Sequence, residues 1–128
     1  MRIFYLEDHT FFATDIVKNL KYLGHEVFYA PTYKAGEKIV EKHGPFDVSI
    51  LDVLLKNGRT GIVFAEKHKP KLGRFMFLTG CRDEATLSTL GSKRYISMSK
   101  LYTKTMPKIV EFLNNEDFYH TIPLSEAC

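Results

Sequence analysis

Short apolar segments alternate with longer segments of helical spacing along the whole chain. The short segments are partly β-branched or aromatic and mostly continuous, which is typical of strands covered on both faces. We predict five strands, at residues 2–6, 26–30, 47–51, 74–78 and 95–99. Apolar residues at helical spacing follow each of them, so the pattern predicts five strand and helix pairs.

Glycine and proline residues fall near the expected ends of the helices. Gly24, Gly44 and Gly91 follow the first, second and fourth helical segments, and Pro70 is predicted to close the third. Pro107 falls in the first turn of the fifth helix, where its missing N–H costs no hydrogen bond. This alternation predicts an α/β fold, a flavodoxin-like doubly wound sheet of five parallel strands in the order 2-1-3-4-5 with five helices.

Polar side chains stand where four of the predicted strands end. Glu7 and Asp8 follow the first strand, Asp52 the third, Thr79 the fourth and Lys100 the fifth. The carboxyl ends of parallel strands meet at one edge of a doubly wound sheet, and ligands bind there. We therefore expect three carboxylates, a hydroxyl and an ammonium group to converge at that edge.

This set of side chains suits a divalent cation and a phosphoryl group. Carboxylate oxygens are the ligands that Mg²⁺ prefers, so Asp8 and Asp52 are candidate direct ligands and Glu7 a water-mediated one. Asp52 is the candidate nucleophile, which would form an acyl phosphate. Thr79 and Lys100 could stabilise the charge on the transferred phosphoryl oxygens.

In type and order, the five residues resemble the motif of response regulator receiver domains, the CheY-like superfamily of two-component signalling. The resemblance covers roughly residues 1–114. It implies that a histidine kinase or phosphotransfer protein phosphorylates Asp52 with the help of Mg²⁺. The implied metal ligands are Glu7, Asp8, Asp52 and the backbone carbonyl of Leu54. Thr79 and Lys100 would form the switch that repacks the surface of the last helices for a partner.

The end of the fifth strand departs from the family pattern. Leu101 follows Lys100 where the family usually has proline, so a cis peptide is not expected there. Ser97 stands where the family often has an aromatic residue, and Tyr95 lies two residues earlier on the same strand face.

The loop after the predicted phosphorylation site departs as well. Residues 54–61 lack the usual proline and form a loop about one residue longer than the family's, in which Lys56 and Arg59 add positive charge. Leu54 and Cys81 occupy the variable positions that flank the phosphorylation site in the family, and they are our candidates for tuning the lifetime of the phosphoryl group.

Composition argues against several classes of partner. The net charge of +3 comes from basic and acidic residues interleaved along the chain, which does not favour nucleic-acid binding. No apolar run approaches the roughly 18 residues that a membrane span needs. Two cysteines without metal or disulfide spacing favour a reducing, cytoplasmic setting.

We therefore expect a stand-alone receiver domain at residues 1–114 and a C-terminal tail at 115–128, without a separate output domain. Such a protein is not an enzyme, signals by binding a downstream protein, and offers the face from the fourth to the fifth helix for a homodimer. The alternative is a receiver-like scaffold that binds partners without phosphorylation. A small phosphatase with an aspartate nucleophile is disfavoured, because Leu54 stands where its general acid would lie.

Overall fold

The computed structural model describes residues 1–56, 60–80, 84–93, 95–100 and 105–118, without the side chains of 84–87. The strands and helices alternate strictly: β1 Arg2–Leu6, α1 Thr10–Tyr22, β2 Glu26–Ala30, α2 Tyr33–His43, β3 Val48–Asp52, α3 Gly61–Leu72, β4 Arg74–Thr79, α4 Glu84–Ser92, β5 Ser97–Ser99 and α5 Thr105–Asn114. The strands form one parallel sheet in the order β2-β1-β3-β4-β5. The predicted fold class and strand order are confirmed.

The predicted bounds of β1 and β2 are confirmed, whereas those of β3, β4 and β5 differ from the structure by one or two residues. Asp52 and Thr79 are the last residues of β3 and β4, whereas we expected them just beyond the strands. β5 begins at Ser97 rather than at residue 95, because its register with β4 starts at the pair Phe77 and Ser97. Lys100 directly follows β5, as predicted.

Two of the predicted helix ends are wrong. Pro70 lies inside α3, which continues to Leu72. A proline this close to the end of a helix removes only one of its last hydrogen bonds, whereas Gly73 ends the helix by adopting a positive φ of 66°. Gly91 lies within the last turn of α4 rather than after it. The predicted ends at Gly24 and Gly44 agree with the structure to within two residues.

The chain divides into two compact units, Met1–Phe75 and Met76–Cys128. The core of the first unit is rich in aromatic rings, and β1 is buried from Ile3 to Leu6. The ring of Phe4 stacks on Phe46 at a centroid distance of 5.4 Å and on Phe64 at 5.6 Å. Burying side chains of this size contributes about 1.5–3 kcal/mol each, so the stack is a main source of the unit's stability.

The register of β1 places particular residues side by side in the first unit. Tyr5 pairs with Tyr29 of β2 on one side and with Ile50 of β3 on the other. Leu6 is the last residue of β1 and pairs with Leu51. The residues that follow Leu6 and Leu51 are therefore neighbours at the carboxyl edge of the two strands.

The second unit is built on the pairing of β4 with β5, in which Thr79 lies opposite Ser99. Phe118 packs edge-on against Phe112 of α5 at a centroid distance of 6.2 Å. Residues 119–128 lie outside the described part of the chain. The division into a domain at 1–114 and a tail at 115–128 stays a prediction. Among the described residues, none of the helices has the length and apolar character needed to cross a lipid bilayer.

Candidate functional site

Three carboxylates meet at the carboxyl edge of β1 and β3. Glu7 and Asp8 directly follow β1, and Asp52 ends β3; one carboxylate oxygen from each lies within 4.8 Å of the other two. Glu7 and Asp52 are buried, with 0% and 1% of their surface exposed, whereas Asp8 is half-buried. We call these residues the acid cluster.

Glu7 is held in place by hydrogen bonds at several of its atoms. Its Oε2 atom accepts a hydrogen bond from the backbone N–H of His9 at 3.1 Å. Its backbone carbonyl accepts one from the Tyr29 hydroxyl at 2.7 Å, and its backbone N–H donates to the carbonyl of Ala30 at 3.0 Å. The loop that leaves β1 is thus fixed before α1 begins.

The Tyr5 side chain is buried on the same face of the sheet as the acid cluster. Its pKa is raised above the usual value of 10, mainly by burial and then by the negative charges of Glu7 and Asp52. Its hydroxyl oxygen is inaccessible and makes no hydrogen bond of good geometry to any residue that the structure describes, although it lies near the Glu7 carboxylate. The phenol is therefore protonated at neutral pH.

The acid cluster fits a divalent cation. Confining three carboxylates so closely, two of them buried, is costly unless a positive charge compensates for their repulsion. Hard cations such as Mg²⁺ and Ca²⁺ bind to oxygen ligands of this kind. Asp8 is the most accessible of the three, so solvent and ligands can reach the cluster from its side.

The loop after Asp52 returns to α3 through a short antiparallel bridge between Leu54 and Thr60. The described hydrogen bond of this bridge joins the N–H of Gly61 to the carbonyl of Val53 at 2.8 Å. It therefore does not use the Leu54 carbonyl, which we predicted as a metal ligand. Leu54 is 41% exposed, and its predicted roles as a metal ligand and as a tuner of phosphoryl lifetime stay predictions.

Gly61, the first residue of α3, lies against the backbone of Asp52. A Cβ atom added at Gly61 would lie 1.9 Å from the Asp52 carbonyl oxygen. Only glycine permits this approach, because any side chain would overlap the backbone. The start of α3 is thereby packed directly on the residue predicted to be phosphorylated.

An open groove of about 380 Å³ adjoins the cluster at Asp8. It runs past the start of α2 at Thr32 and past Leu55 and Lys56. Lys56 therefore lines the same groove as Asp8, and its effect on the charge at the acid cluster stays a prediction. Arg59 lies outside the described residues.

Thr79 and Lys100 belong to the second unit, where they stand at the carboxyl ends of β4 and β5. Thr79 is buried, and its backbone carbonyl accepts a hydrogen bond from the N–H of Lys100 at 2.7 Å. Ser99 lies opposite Thr79, and its carbonyl accepts a hydrogen bond from the Thr105 hydroxyl at 3.4 Å. The end of β5 is thus connected both to β4 and to the start of α5.

A small residue occupies the position in β5 where receiver domains often have an aromatic side chain. Ser97 is fully buried in β5. The ring of Tyr95 packs instead on Phe77 at a centroid distance of 5.4 Å, and the Lys93 ammonium lies 6.0 Å from the Tyr95 ring centre. Leu101, which follows Lys100 where the family usually has proline, and Cys81, a candidate for tuning the phosphoryl lifetime, lie outside the described residues.

Three residues at the site were not singled out from the sequence. Tyr5 and Tyr29 fall within the predicted strands at 2–6 and 26–30, and Gly61 falls within the predicted loop at 54–61. Tyr5 stands two residues before Glu7, and side chains two apart on a strand share a face, so this spacing could have placed its hydroxyl at the acid cluster. The role of Tyr29 depends on the pairing of β2 with β1, which the sequence does not spell out.

No family model and no curated protein matches this chain. Solved structures do match it. A CheY-like response regulator receiver domain protein from Methanospirillum hungatei is 22% identical with a TM-score of 0.73, and the match covers 88% of this chain and 93% of that one. An adenylate cyclase from Rhodopirellula baltica is 20% identical with a TM-score of 0.74, covering 88% and 84%.

A third similar structure contains a modified residue and ligands. It is a response regulator protein from Burkholderia pseudomallei with a phosphorylated aspartic acid, a calcium ion and citrate, 20% identical with a TM-score of 0.67, and the match covers 89% of this chain and 74% of that one. Further receiver domains match with similar coverage of this chain. The chain therefore has the fold of the CheY-like receiver domains of response regulators.

Proposed function

We propose that this chain is a receiver domain that accepts a phosphoryl group on Asp52 and signals by binding another protein. The observation that carries the proposal is the acid cluster, which lies at the carboxyl edge of β1 and β3 in a receiver fold. Asp52 lies at the end of the central strand of that sheet, beside the two other acids.

The chemical step is a displacement at phosphorus. A carboxylate oxygen of Asp52 attacks the phosphoryl group of a phosphohistidine, the P–O bond forms, and the P–N bond to the imidazole breaks. The imidazole leaves with the bonding electron pair and takes up a proton from solvent. The product is an acyl phosphate on Asp52, in a position that the contact with Gly61 holds fixed.

Mg²⁺ is the proposed cofactor, held by Asp8 and Asp52 with the Leu54 carbonyl, and through water by Glu7. When bound, it would neutralise the crowded acids and the phosphoryl oxygens. The Glu7 carboxylate is held in position, because its Oε2 atom accepts a hydrogen bond from the His9 N–H. Lys56, beside the groove at Asp8, would attract a negatively charged donor.

Thr79 and Lys100 are the proposed switch residues, by resemblance to the family and by their places at strand ends. On phosphorylation their side chains would bind the phosphoryl oxygens. The end of β5 is joined by hydrogen bonds to β4 and α5, so a shift there would reach α5. We propose this surface for a downstream protein or a second copy of the chain, with a histidine kinase or phosphotransfer protein as the donor. Leu54 and Cys81 remain the proposed tuners of phosphoryl lifetime.

The proposal is tested by titrating Mg²⁺ with and without beryllofluoride, a mimic of the acyl phosphate, while amide chemical shifts are recorded. We expect saturable shifts that need both ligands and that spread from Asp8 and Asp52 to Thr79, Lys100 and α5. Asp52→Ala should abolish the response to beryllofluoride. Asp15→Asn, which changes an exposed aspartate of α1, is the matched control and should respond like the unmodified chain.

The competing function is a receiver-like scaffold that binds partners without phosphorylation. It is motivated by Ser97, by Leu101 and by the altered loop after Asp52. It predicts that beryllofluoride leaves both the amide shifts and the affinity for a partner unchanged. Retention of the beryllofluoride response in Asp52→Ala would contradict the assignment of the phosphorylation site itself.

A further inference from the structure

A buried phenol approaches the acid cluster from inside the first unit. Tyr5 is fully buried in β1, two residues before Glu7 and therefore on the same face. Its partner in β3 is Ile50, which stands two residues before Asp52. The Tyr5 ring also packs on Tyr29 at a centroid distance of 5.8 Å. The side chain is thus confined beneath two of the three acids.

Burial of the Tyr5 hydroxyl destabilises the fold unless the hydroxyl makes a hydrogen bond. It is inaccessible to water and makes no hydrogen bond of good geometry to the described residues. Burying a polar group without a hydrogen bond partner destabilises the fold, because the group loses its bonds to water. Phenylalanine or leucine would fill the same place in β1 without that cost. The groups beside the hydroxyl are the carboxylates of Glu7 and Asp52.

The two oxygens of the Glu7 carboxylate have different surroundings. Oε2 accepts the N–H of His9 on the loop that leaves β1, whereas Oε1 is buried. A hydroxyl that donates to Oε1 would fix the carboxylate from its second side. A hydrogen bond to a carboxylate that supports a metal site fixes the orientation of that carboxylate and tunes its basicity.

We propose that Tyr5 is a positioning residue of the acid cluster, whose hydroxyl donates a hydrogen bond to the Glu7 carboxylate in the cation-bound state. This inference rests on the proposed function, because it concerns the same cation site. Tyr5 acts through Glu7 and does not touch the cation. In the structure, the Tyr5 hydroxyl lies near the Glu7 carboxylate, within reach of a small adjustment that would complete this hydrogen bond.

Tyr5→Phe removes the hydroxyl and keeps the ring packed on Tyr29. We expect the affinity for Mg²⁺, measured from amide shifts, to fall about tenfold, as is typical when a supporting hydrogen bond to a metal site is removed. The free energy of unfolding without Mg²⁺ should stay the same or rise, because the variant no longer buries an unsatisfied hydroxyl. Tyr22→Phe, at a tyrosine of α1 that is 89% exposed, is the control and should change neither quantity.

A spectroscopic readout separates this role from a purely structural one. Mg²⁺ binding should perturb the near-ultraviolet absorption of the unmodified chain and of Tyr22→Phe, and this perturbation should be much weaker in Tyr5→Phe. Equal Mg²⁺ affinity in Tyr5→Phe and the unmodified chain would overturn the inference and leave the proposed function standing. Absence of saturable Mg²⁺ binding in the unmodified chain would overturn the cation site itself, and the role of Tyr5 with it.

Discussion

Replacing Gly61 by alanine should disturb the site at its most closely packed point. The added Cβ would lie 1.9 Å from the carbonyl oxygen of Asp52 and 2.9 Å from its carbonyl carbon, whereas side-chain carbons essentially never approach closer than 3.0 Å. The two backbone segments would have to separate by more than 1 Å. Neither segment can move easily. Asp52 ends a buried strand, and the N–H of Gly61 donates a hydrogen bond to the Val53 carbonyl at 2.8 Å.

We expect Gly61→Ala to lower the free energy of unfolding by about 3 kcal/mol, at the upper end of the range for overpacked sites. That is a large share of the 5–15 kcal/mol that stabilises a typical domain. Urea denaturation followed by circular dichroism measures the loss, and Mg²⁺ affinity should fall in parallel because Asp52 is displaced. Val63→Ala, at a position of α3 that is 57% exposed, is the control and should stay within about 0.5 kcal/mol of the unmodified chain. A loss below about 1 kcal/mol for Gly61→Ala would refute the reasoning.

Two further predictions concern stability. Phe64→Ala should lower the free energy of unfolding by about 3–5 kcal/mol, because the fully buried ring stacks on Phe4; a loss under 1 kcal/mol in urea denaturation would contradict the packing described. Glu37 accepts hydrogen bonds from Lys67 at 2.7 Å and from His68 at 2.9 Å, and the bond from Lys67 is the main cause of its lowered pKa. A lowered carboxyl pKa stabilises the fold above the ordinary value of 4.5, and this contribution is lost as the pH falls through the folded-state pKa. Glu37→Gln should therefore cost less than about 1 kcal/mol at neutral pH, because the pair is partly open to solvent, with 61% of the Lys67 side chain and 28% of the Glu37 side chain exposed, and it should cost nothing in strong acid. A cost that grows on acidification would contradict this sign.

The strand ends could be predicted from the sequence because their signal is local. An apolar run followed by an acid marks both the end of a strand and the edge of the sheet, so Glu7, Asp8 and Asp52 were predicted as neighbours, and the structure does gather them. Their roles stay predictions. The end of α3 was misplaced because proline is a strong local signal, whereas the close packing that requires Gly73 involves the carbonyl oxygen of Asp47, 2.3 Å from an added Cβ.

The surroundings of the acid cluster could not be predicted in the same way. The position of Tyr5 on the same strand face as Glu7 follows from strand alternation, but the burial of its hydroxyl depends on the packing of the folded chain. The hydrogen bond from Tyr29 to the Glu7 carbonyl needs the register of β2 on β1. The contact of Gly61 with Asp52 depends on the backbone conformation that connects β3 to α3. Hydrophobic periodicity predicts strands and helices, but it does not predict the conformation of a connecting loop.

Covalent modification of Asp52 tests the central claim most directly. The unmodified chain, Asp52→Ala and the control Asp15→Asn would each be incubated with Mg²⁺ and a small-molecule phosphoryl donor such as acetyl phosphate, and their intact masses would then be measured. We predict one added phosphoryl group in the unmodified chain and in Asp15→Asn, lost on treatment with hydroxylamine as an acyl phosphate is, and none in Asp52→Ala. Equal phosphorylation of Asp52→Ala, or no modification of the unmodified chain by any donor that phosphorylates a known receiver domain in parallel, would contradict the claim.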